Sequence, residues 1–227
     1  MKMYKLGVSL LELDYRYLDR DLKAIDAAGA DYVHIDVMDG NFVPNLGLGI
    51  KLIEGIRPST RRIFDVHMMT LHPEKFIRRI AEAGADIITV HYETCENVKQ
   101  VMSDIRALGR KAGEVLKPGT PLTVLDEEIL RMADVVQLMT TEPGVEGQTF
   151  IPESLEKIRR LREKLNQMGL DTDIEVDGNI TKENIGAVAA AGATIFVSGR
   201  AIVKGNMEEN IRWMQQEIRK GKEGKQT

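Results

Sequence analysis

Short β-branched runs alternate along this chain with longer segments in which apolar residues recur every three to four positions. The period-two runs predict strands over Lys5–Ser9, Tyr32–Met38, Arg62–Met68, Ile87–His91, Ala112–Leu116, Val135–Thr140, Asp173–Asp177 and Ile195–Ser198. The helical period predicts helices over Leu18–Ala28, Gly49–Ile56, Pro73–Ala83, Glu96–Leu108, Val124–Met132, Pro152–Met168, Lys182–Ala191 and Met207–Lys220. Eight strands, each followed by a helix with no long linker, give the order of a closed (β/α)8 TIM barrel. The expectation is an α/β fold with a single barrel domain over residues 1–220. Residues 221–227 are charged and glycine-rich without apolar content, and are expected to form a disordered tail.

A weak repeat supports the barrel. Ala28-Gly29-Ala30-Asp31, Ala83-Gly84-Ala85-Asp86 and Ala191-Gly192-Ala193-Thr194 each precede a predicted strand. Their glycines are spaced by close to two and four units of about 28 residues, as a repeating βα unit requires. The glycine serves as a left-handed cap that ends a helix before the next strand. An open doubly wound sheet would carry a glycine-rich turn after its first strand, and Ser9-Leu-Leu-Glu-Leu-Asp14 has no glycine.

Composition narrows the function. A formal net charge of −4 argues against a nucleic-acid partner or an anionic membrane surface. No stretch approaches the roughly 20 apolar residues of a membrane span, and Met1 to Ser9 does not read as a signal peptide. The single cysteine, Cys95, cannot form an internal disulfide and suits a reducing cytoplasm. No local motif surrounds it to support a role as nucleophile.

Three strands depart from the pattern of a fully buried parallel sheet. Side chains at i, i+2 and i+4 share one face of a strand, so His34, Asp36 and Met38 oppose Val33, Ile35 and Val37. Asp65, His67 and Met69 share a face likewise, as do Glu175 and Asp177. A polar face makes sense where it lines a small interior that holds chemistry. In such barrels the chemistry sits at the carboxyl ends of the strands. Those ends supply Ser9, His34/Asp36/Met38, His67/Met69, His91, Lys117, Met139/Thr140, Asp177 and Gly199/Arg200. One buried histidine alone reads best as a hydrogen-bonded core residue. The set of His34, Asp36, His67 and Asp177 reads differently, because several charged groups buried together need a neutralising cation. Imidazole with carboxylate suits one divalent zinc, iron, cobalt or manganese ion better than magnesium.

The strings His34-Ile-Asp-Val-Met-Asp-Gly-Asn-Phe-Val-Pro-Asn45, Asp65-Val-His-Met-Met69, Met139-Thr-Thr-Glu-Pro-Gly144, Gly147-Gln-Thr-Phe-Ile-Pro152 and Glu175-Val-Asp-Gly178 resemble the ribulose-phosphate 3-epimerase family. The resemblance runs from Ser9 to about Ile202. It implies a metal-dependent isomerase of carbohydrate metabolism on a ribulose-phosphate-binding type of barrel, a homo-oligomer whose substrate is a small phosphorylated ketose. The implied reaction inverts C3, converting D-ribulose 5-phosphate to D-xylulose 5-phosphate in the pentose phosphate pathway. His34, Asp36, His67 and Asp177 fall on the family's metal ligands, and Asp36 and Asp177 also on its two acid/base residues. That role suits the chemistry, since one carboxylate must take the C3 proton and another must return one on the opposite face. The metal would steady a cis-enediolate as a Lewis acid. Substrate contacts are expected from Ser9, His67, Met38, Met69 and Met139, the methionines presenting non-basic sulfur.

Phosphate is expected at the glycine-rich loops Gly144-Val145-Glu146-Gly147, Gly178-Asn179 and Gly199-Arg200. Here the chain departs from the family pattern. Glu146 and Asn179 stand where glycines are usual, Arg200 where serine is usual, Val8 in place of proline and Asn41 in place of histidine. Arg200 is expected to bind phosphate directly, or else to pair with Glu146. The altered rim keeps open a longer ketose such as D-allulose 6-phosphate. A sister decarboxylase pattern would need lysine where Met38 stands. A non-catalytic sugar-phosphate sensor would be expected to lose a ligand or an acid/base aspartate, and none is missing.

Overall fold

A computed structural model describes residues 4–223. Its eight strands are β1 (Lys5–Ser9), β2 (Tyr32–Met38), β3 (Ile63–Met69), β4 (Ile87–His91), β5 (Lys111–Leu116), β6 (Val135–Met139), β7 (Asp173–Asp177) and β8 (Ile195–Ser198). They pair in parallel and in chain order, and β8 closes back on β1. Around them lie α1 (Leu18–Ala28), α2 (Ile50–Ile56), α3 (Ile77–Ala83), α4 (Val98–Ala107), α5 (Glu127–Met132), α6 (Ser154–Gln167), α7 (Ile185–Ala191), α8 (Arg200–Val203) and α9 (Met207–Glu223). The result is the TIM barrel that the alternation of periods predicts.

The differences from expectation lie at element ends. Helix α3 starts at Ile77 and not Pro73, because Pro73–Lys75 forms a tight 3-10 turn entered through His72 at a positive φ of 54°. Helix α5 starts at Glu127, where the Asp126 side chain accepts from the Ile129 amide and fixes the boundary. The four-residue α8 is unforeseen, being too short to show a period. Gly221, Lys222 and Glu223, expected in the disordered tail, continue α9. The cause is a close helix crossing: a Cβ on Gly221 would lie 2.2 Å from the Gly186 carbonyl oxygen of α7. Residues 224–227 of the expected tail lie outside the described residues. No helix among the described residues is long and apolar enough to cross a membrane.

Register explains where polarity is allowed. Outward-facing Val33, Ile35, Val66, Ile88, Val90, Val136, Ile174 and Val176 pack against the helices in one continuous core. The barrel floor is a separate apolar layer of Tyr32, Ile87, Val135 and Ile195, one from each even-numbered strand, as layered barrel packing dictates. Above it the pairings Tyr32↔Gly7 and Asp65↔Ile87 bring Gly7, Asp65, Gly113 and Glu175 to the next level. His34, Thr89 and Gln137 follow, and then Ser9, His67, Val115 and Asp177. The polar residues therefore form a column that rises from an apolar plug toward the carboxyl ends of the strands.

Candidate active site

The column opens into a cavity at those carboxyl ends. Its lining includes Ser9, Asp36, Met38, Met69, Met139, Asp177, and the loop residues Gly144, Val145, Glu146, Gly147, Gly178, Asn179, Gly199 and Arg200. His34 and His67 lie beneath it, fully buried. The candidate metal, acid/base and substrate residues are thus brought to one place. Lys117 and Thr140, also read from strand ends, stay out of the cavity wall. The Thr140 hydroxyl is turned to the Asp177 and Gly178 carbonyls, and the Lys117 ammonium lies over the Phe42 ring.

Four residues converge at the base. Ligand-type atoms of His34, Asp36, His67 and Asp177 all lie within 4.8 Å of one another. His34 Nε2 is 3.3 Å from Asp36 Oδ1 and 3.7 Å from Asp177 Oδ2. His67 Nδ1 is 3.2 Å from Asp36 Oδ1 and 3.5 Å from Asp177 Oδ2. Buried His34 Nε2 has no hydrogen-bond partner among the described residues. Burial opposes charge on the imidazoles, yet the surrounding carboxylates raise both: Asp36 and Asp65 act on His34, Asp177 and Asp36 on His67. Burial likewise opposes ionisation of Asp36, but His34 and His67 hold its carboxyl well below the usual range. The pocket demands positive charge, and its donor set of two imidazole nitrogens and two carboxylates fits a divalent transition ion.

Supporting residues fix these four. Ser9 Oγ donates to Asp36 Oδ2 at 2.8 Å. His34 Nδ1 donates to Asp65 Oδ2 at 2.7 Å, which leaves Nε2 facing the cluster. Glu175 lies beside that pair, its Oε1 3.4 Å from His34 Nδ1; burial and the Asp65 carboxylate push it well above the usual range. On the other side His67 Nε2 is 2.9 Å from His91 Nε2, and His91 Nδ1 is 3.1 Å from Glu93 Oε2. Burial takes His91 down to about 4. His91 appears among the strand-end residues read from sequence, but without a role; Asp65, Glu93 and Gln137 are missing from that set. The signal for Asp65 was its place two residues before His67 on the same strand face; His91-Tyr-Glu93 had no comparable signal, because Glu93 lies beyond the strand.

The rim is held by its own bonds. The Gln148 amide bridges the Glu142 amide and carbonyl and the Val145 carbonyl, folding the 142–148 loop back on itself. Gly178 has φ of 120°, and a Cβ there would meet Thr141 Oγ1 at 2.5 Å, so the loop after β7 can approach the one after β6 only with glycine. Asn179 has φ of 51°, which accounts for its standing in for a glycine: asparagine enters the left-handed region more readily than most side chains. Arg200 takes a partner other than the one considered from sequence. Its Nε and Nη2 donate to the two Glu12 carboxylate oxygens at 3.3 Å each, while Glu146 makes no bond to it.

Residues 5–203 match the ribulose-phosphate 3 epimerase family. The chain belongs to that family. It is 46% identical to the ribulose-phosphate 3-epimerase of Synechocystis sp. over 86% of this chain and 85% of that one. It is 42% identical to the enzyme of that name from Escherichia coli K12, over 89% and 90% of the two chains. The family expected from the motif strings is therefore the one found, and the protein is an epimerase-type isomerase of carbohydrate metabolism. Among solved structures, 3-hexulose-6-phosphate synthase from Salmonella typhimurium superposes with a TM-score of 0.72 at 18% identity, covering 96% of this chain and 99% of that one. The 3-keto-L-gulonate-6-phosphate decarboxylase of Vibrio cholerae also gives 0.72, at 15% identity over 96% and 98%. At such identities these two speak to the fold alone.

Proposed function

We propose that the protein is a metal-dependent 3-epimerase that interconverts D-ribulose 5-phosphate and D-xylulose 5-phosphate by two-aspartate proton transfer. The observation that carries this reading is the placement of Asp36 and Asp177, from β2 and β7, with two histidine nitrogens at the base of one cavity. The neighbouring carbonyl acidifies the C3 proton of a 2-ketose. Asp36, held ionised and oriented by Ser9, takes that proton from one face, and Asp177 delivers one to the other; the reverse direction exchanges the roles. His34, Asp36, His67 and Asp177 would hold the divalent ion, which when bound supplies Lewis-acid stabilisation of enediolate charge. Met38, Met69 and Met139 surround the reacting carbons with sulfur that does not compete for protons. The glycine-rich loops and Arg200 form the phosphate end.

The test is proton–deuterium exchange in heavy water with D-ribulose 5-phosphate and D-allulose 6-phosphate as parallel substrates. Exchange at C3 with formation of the xylulose epimer supports the reading. Preferential turnover of the hexulose phosphate would move the substrate to the longer ketose on the same chemistry, and no exchange with either would refute it.

Metal dependence has its own expected result. His67→Ala removes one nitrogen of the cluster and should weaken binding of a divalent ion by more than about 100-fold, with parallel loss of activity. His72 is half exposed and 3.4 Å from Glu74, so His72→Ala should leave metal content unchanged. Metal analysis of both variants after equal dialysis decides; an equal loss in both would refute the ligand assignment.

Arg200→Ser tests the rim. Glu12 holds the guanidinium at the edge of the cavity through Nε and Nη2, which leaves Nη1 available to donate to a phosphate. The substitution should raise KM for the phosphorylated ketose roughly tenfold with little change in kcat, as loss of one charge-assisted contact implies. Unchanged kinetics would assign the side chain to solvent.

A further inference from the structure

A chain of hydrogen-bonded polar groups, solvent-accessible at its outer end and buried at its two imidazoles, runs from the loop after β5 to the candidate metal cluster. Glu93 lies on the 3-10 turn Tyr92–Thr94 that follows β4. Its Oε1 accepts from the Lys117 amide at 2.9 Å and from the Thr120 hydroxyl. Its Oε2 is 3.1 Å from His91 Nδ1, and His91 Nε2 is 2.9 Å from His67 Nε2. Both imidazoles are fully buried, and Phe42 covers His91 with its ring centroid 4.7 Å away. Water therefore has little access to the two ring nitrogens that face each other.

Donor and acceptor roles along this chain follow from its outer end. Carboxylate Oε2 can only accept, so His91 Nδ1 carries hydrogen. In neutral His91 the Nε2 atom then accepts, and the hydrogen between the two rings belongs to His67 Nε2. Gln137 is placed to fit the same arrangement. Its Oε1 accepts from Thr89 Oγ1 at 2.9 Å, which turns the amide nitrogen toward His67 Nδ1 at 3.2 Å. A nitrogen that receives an N–H must present a lone pair. Asp36 Oδ1, also 3.2 Å from His67 Nδ1, draws a hydrogen there only while no ion holds that carboxylate, and the Gln137 N–H has Met139 Sδ at 3.7 Å as its other acceptor when an ion takes the lone pair.

We infer that Glu93 and His91 are positioning residues that lock His67 in the Nε2–H tautomer, so that its Nδ1 lone pair faces Asp36, Asp177 and a bound divalent ion. This rests on the metal reading proposed above and extends it outward by two residues. It assigns a purpose to His91-Tyr-Glu93 that reaches neither the cavity nor the substrate: a carboxylate–imidazole pair that orients a ligating imidazole and raises its basicity.

Cobalt(II) binding to the metal-stripped full chain tests this, read by visible absorption and by titration at one fixed pH. Glu93→Gln keeps size and fold, but the Lys117 and Thr120 donors claim its only carbonyl oxygen and turn its amide N–H toward His91. That reverses the relay, and cobalt affinity should fall about 10–100-fold with altered cobalt bands, although Glu93 touches no ligand. His91→Phe should fall equally, while His91→Gln, which can again offer an acceptor to His67 Nε2, should recover affinity to within about threefold. Native affinity and spectrum in Glu93→Gln and His91→Phe, or His91→Gln as weak as His91→Phe, would overturn the relay alone. Failure of the unmodified protein to bind cobalt, or His67→Ala binding as tightly as the unmodified protein, would overturn the metal reading and the relay with it.

Discussion

Asp36→Asn and Asp177→Asn should each lower inversion at C3 by about 10²–10⁴-fold, the usual worth of a positioned acid or base. Asparagine keeps the volume of each carboxylate but can neither take nor return the proton. The two variants should differ in what they retain. Asp36 is buried, accepts from Ser9 at 2.8 Å and is held ionised against both histidines. With Asp177 replaced, Asp36 can still remove the C3 proton of one epimer and return deuterium to the same face. With Asp36 replaced, the surviving exchange should belong to the other epimer. Proton NMR of C3 in heavy water reads both quantities at once. Near-normal inversion in both variants would end the two-aspartate mechanism, and exchange of the same epimer in both would assign the two faces wrongly. Each carboxylate also belongs to the cluster, so metal content of the variants must be measured alongside; a loss of inversion at full metal occupancy isolates proton transfer.

The strands were legible because a parallel barrel forces period-two runs with opposite demands on their two faces. His34-Ile-Asp-Val-Met shows this within five residues: one set packs under the helices and the other lines the lumen. The convergence of His34, Asp36, His67 and Asp177 was legible for the same reason, since closing the barrel brings strand ends together whatever their separation in sequence. What escaped was decided by local hydrogen bonding. The start of α5 depends on the Asp126 cap, and that of α3 on a proline turn, neither of which alters hydrophobic period. The Arg200–Glu12 pair joins residues 188 positions apart at the rim, where no packing pattern constrains either partner. Glu93 was invisible because its importance lies in the direction of two ring hydrogens.

Glu114 should make the folded protein less stable as pH rises, the reverse of the behaviour of a salt-bridged carboxylate. It stands on β5 between Ala112 and Leu116, on the face turned to the helix layer, fully buried and with neither oxygen hydrogen-bonded among the described residues. Burial, reinforced by Glu93 and Asp126, pushes its carboxyl up to about 8. Between the usual glutamate value near 4.5 and about 8 the folded protein keeps a proton that the unfolded chain has released. Stability therefore falls by about 1.4 kcal/mol per pH unit through that window, is fully present below it, and levels off above it. The total is of order 3–5 kcal/mol. Glu114→Met, close in volume and apolar, removes both the titration and the orphaned oxygens. The variant should gain about 1–3 kcal/mol at pH 5, where wild-type Glu114 is a neutral but unpartnered acid. The gain should widen steadily toward pH 8.5, with the difference in Tm growing by roughly 10 °C. Because every other group titrates in both proteins, the difference between their melting curves isolates this side chain. A gap that stays constant from pH 5 to pH 8.5 would show that Glu114 finds a charged partner in solution; a variant less stable than wild type at pH 8.5 would show that the carboxylate holds the helix layer in place.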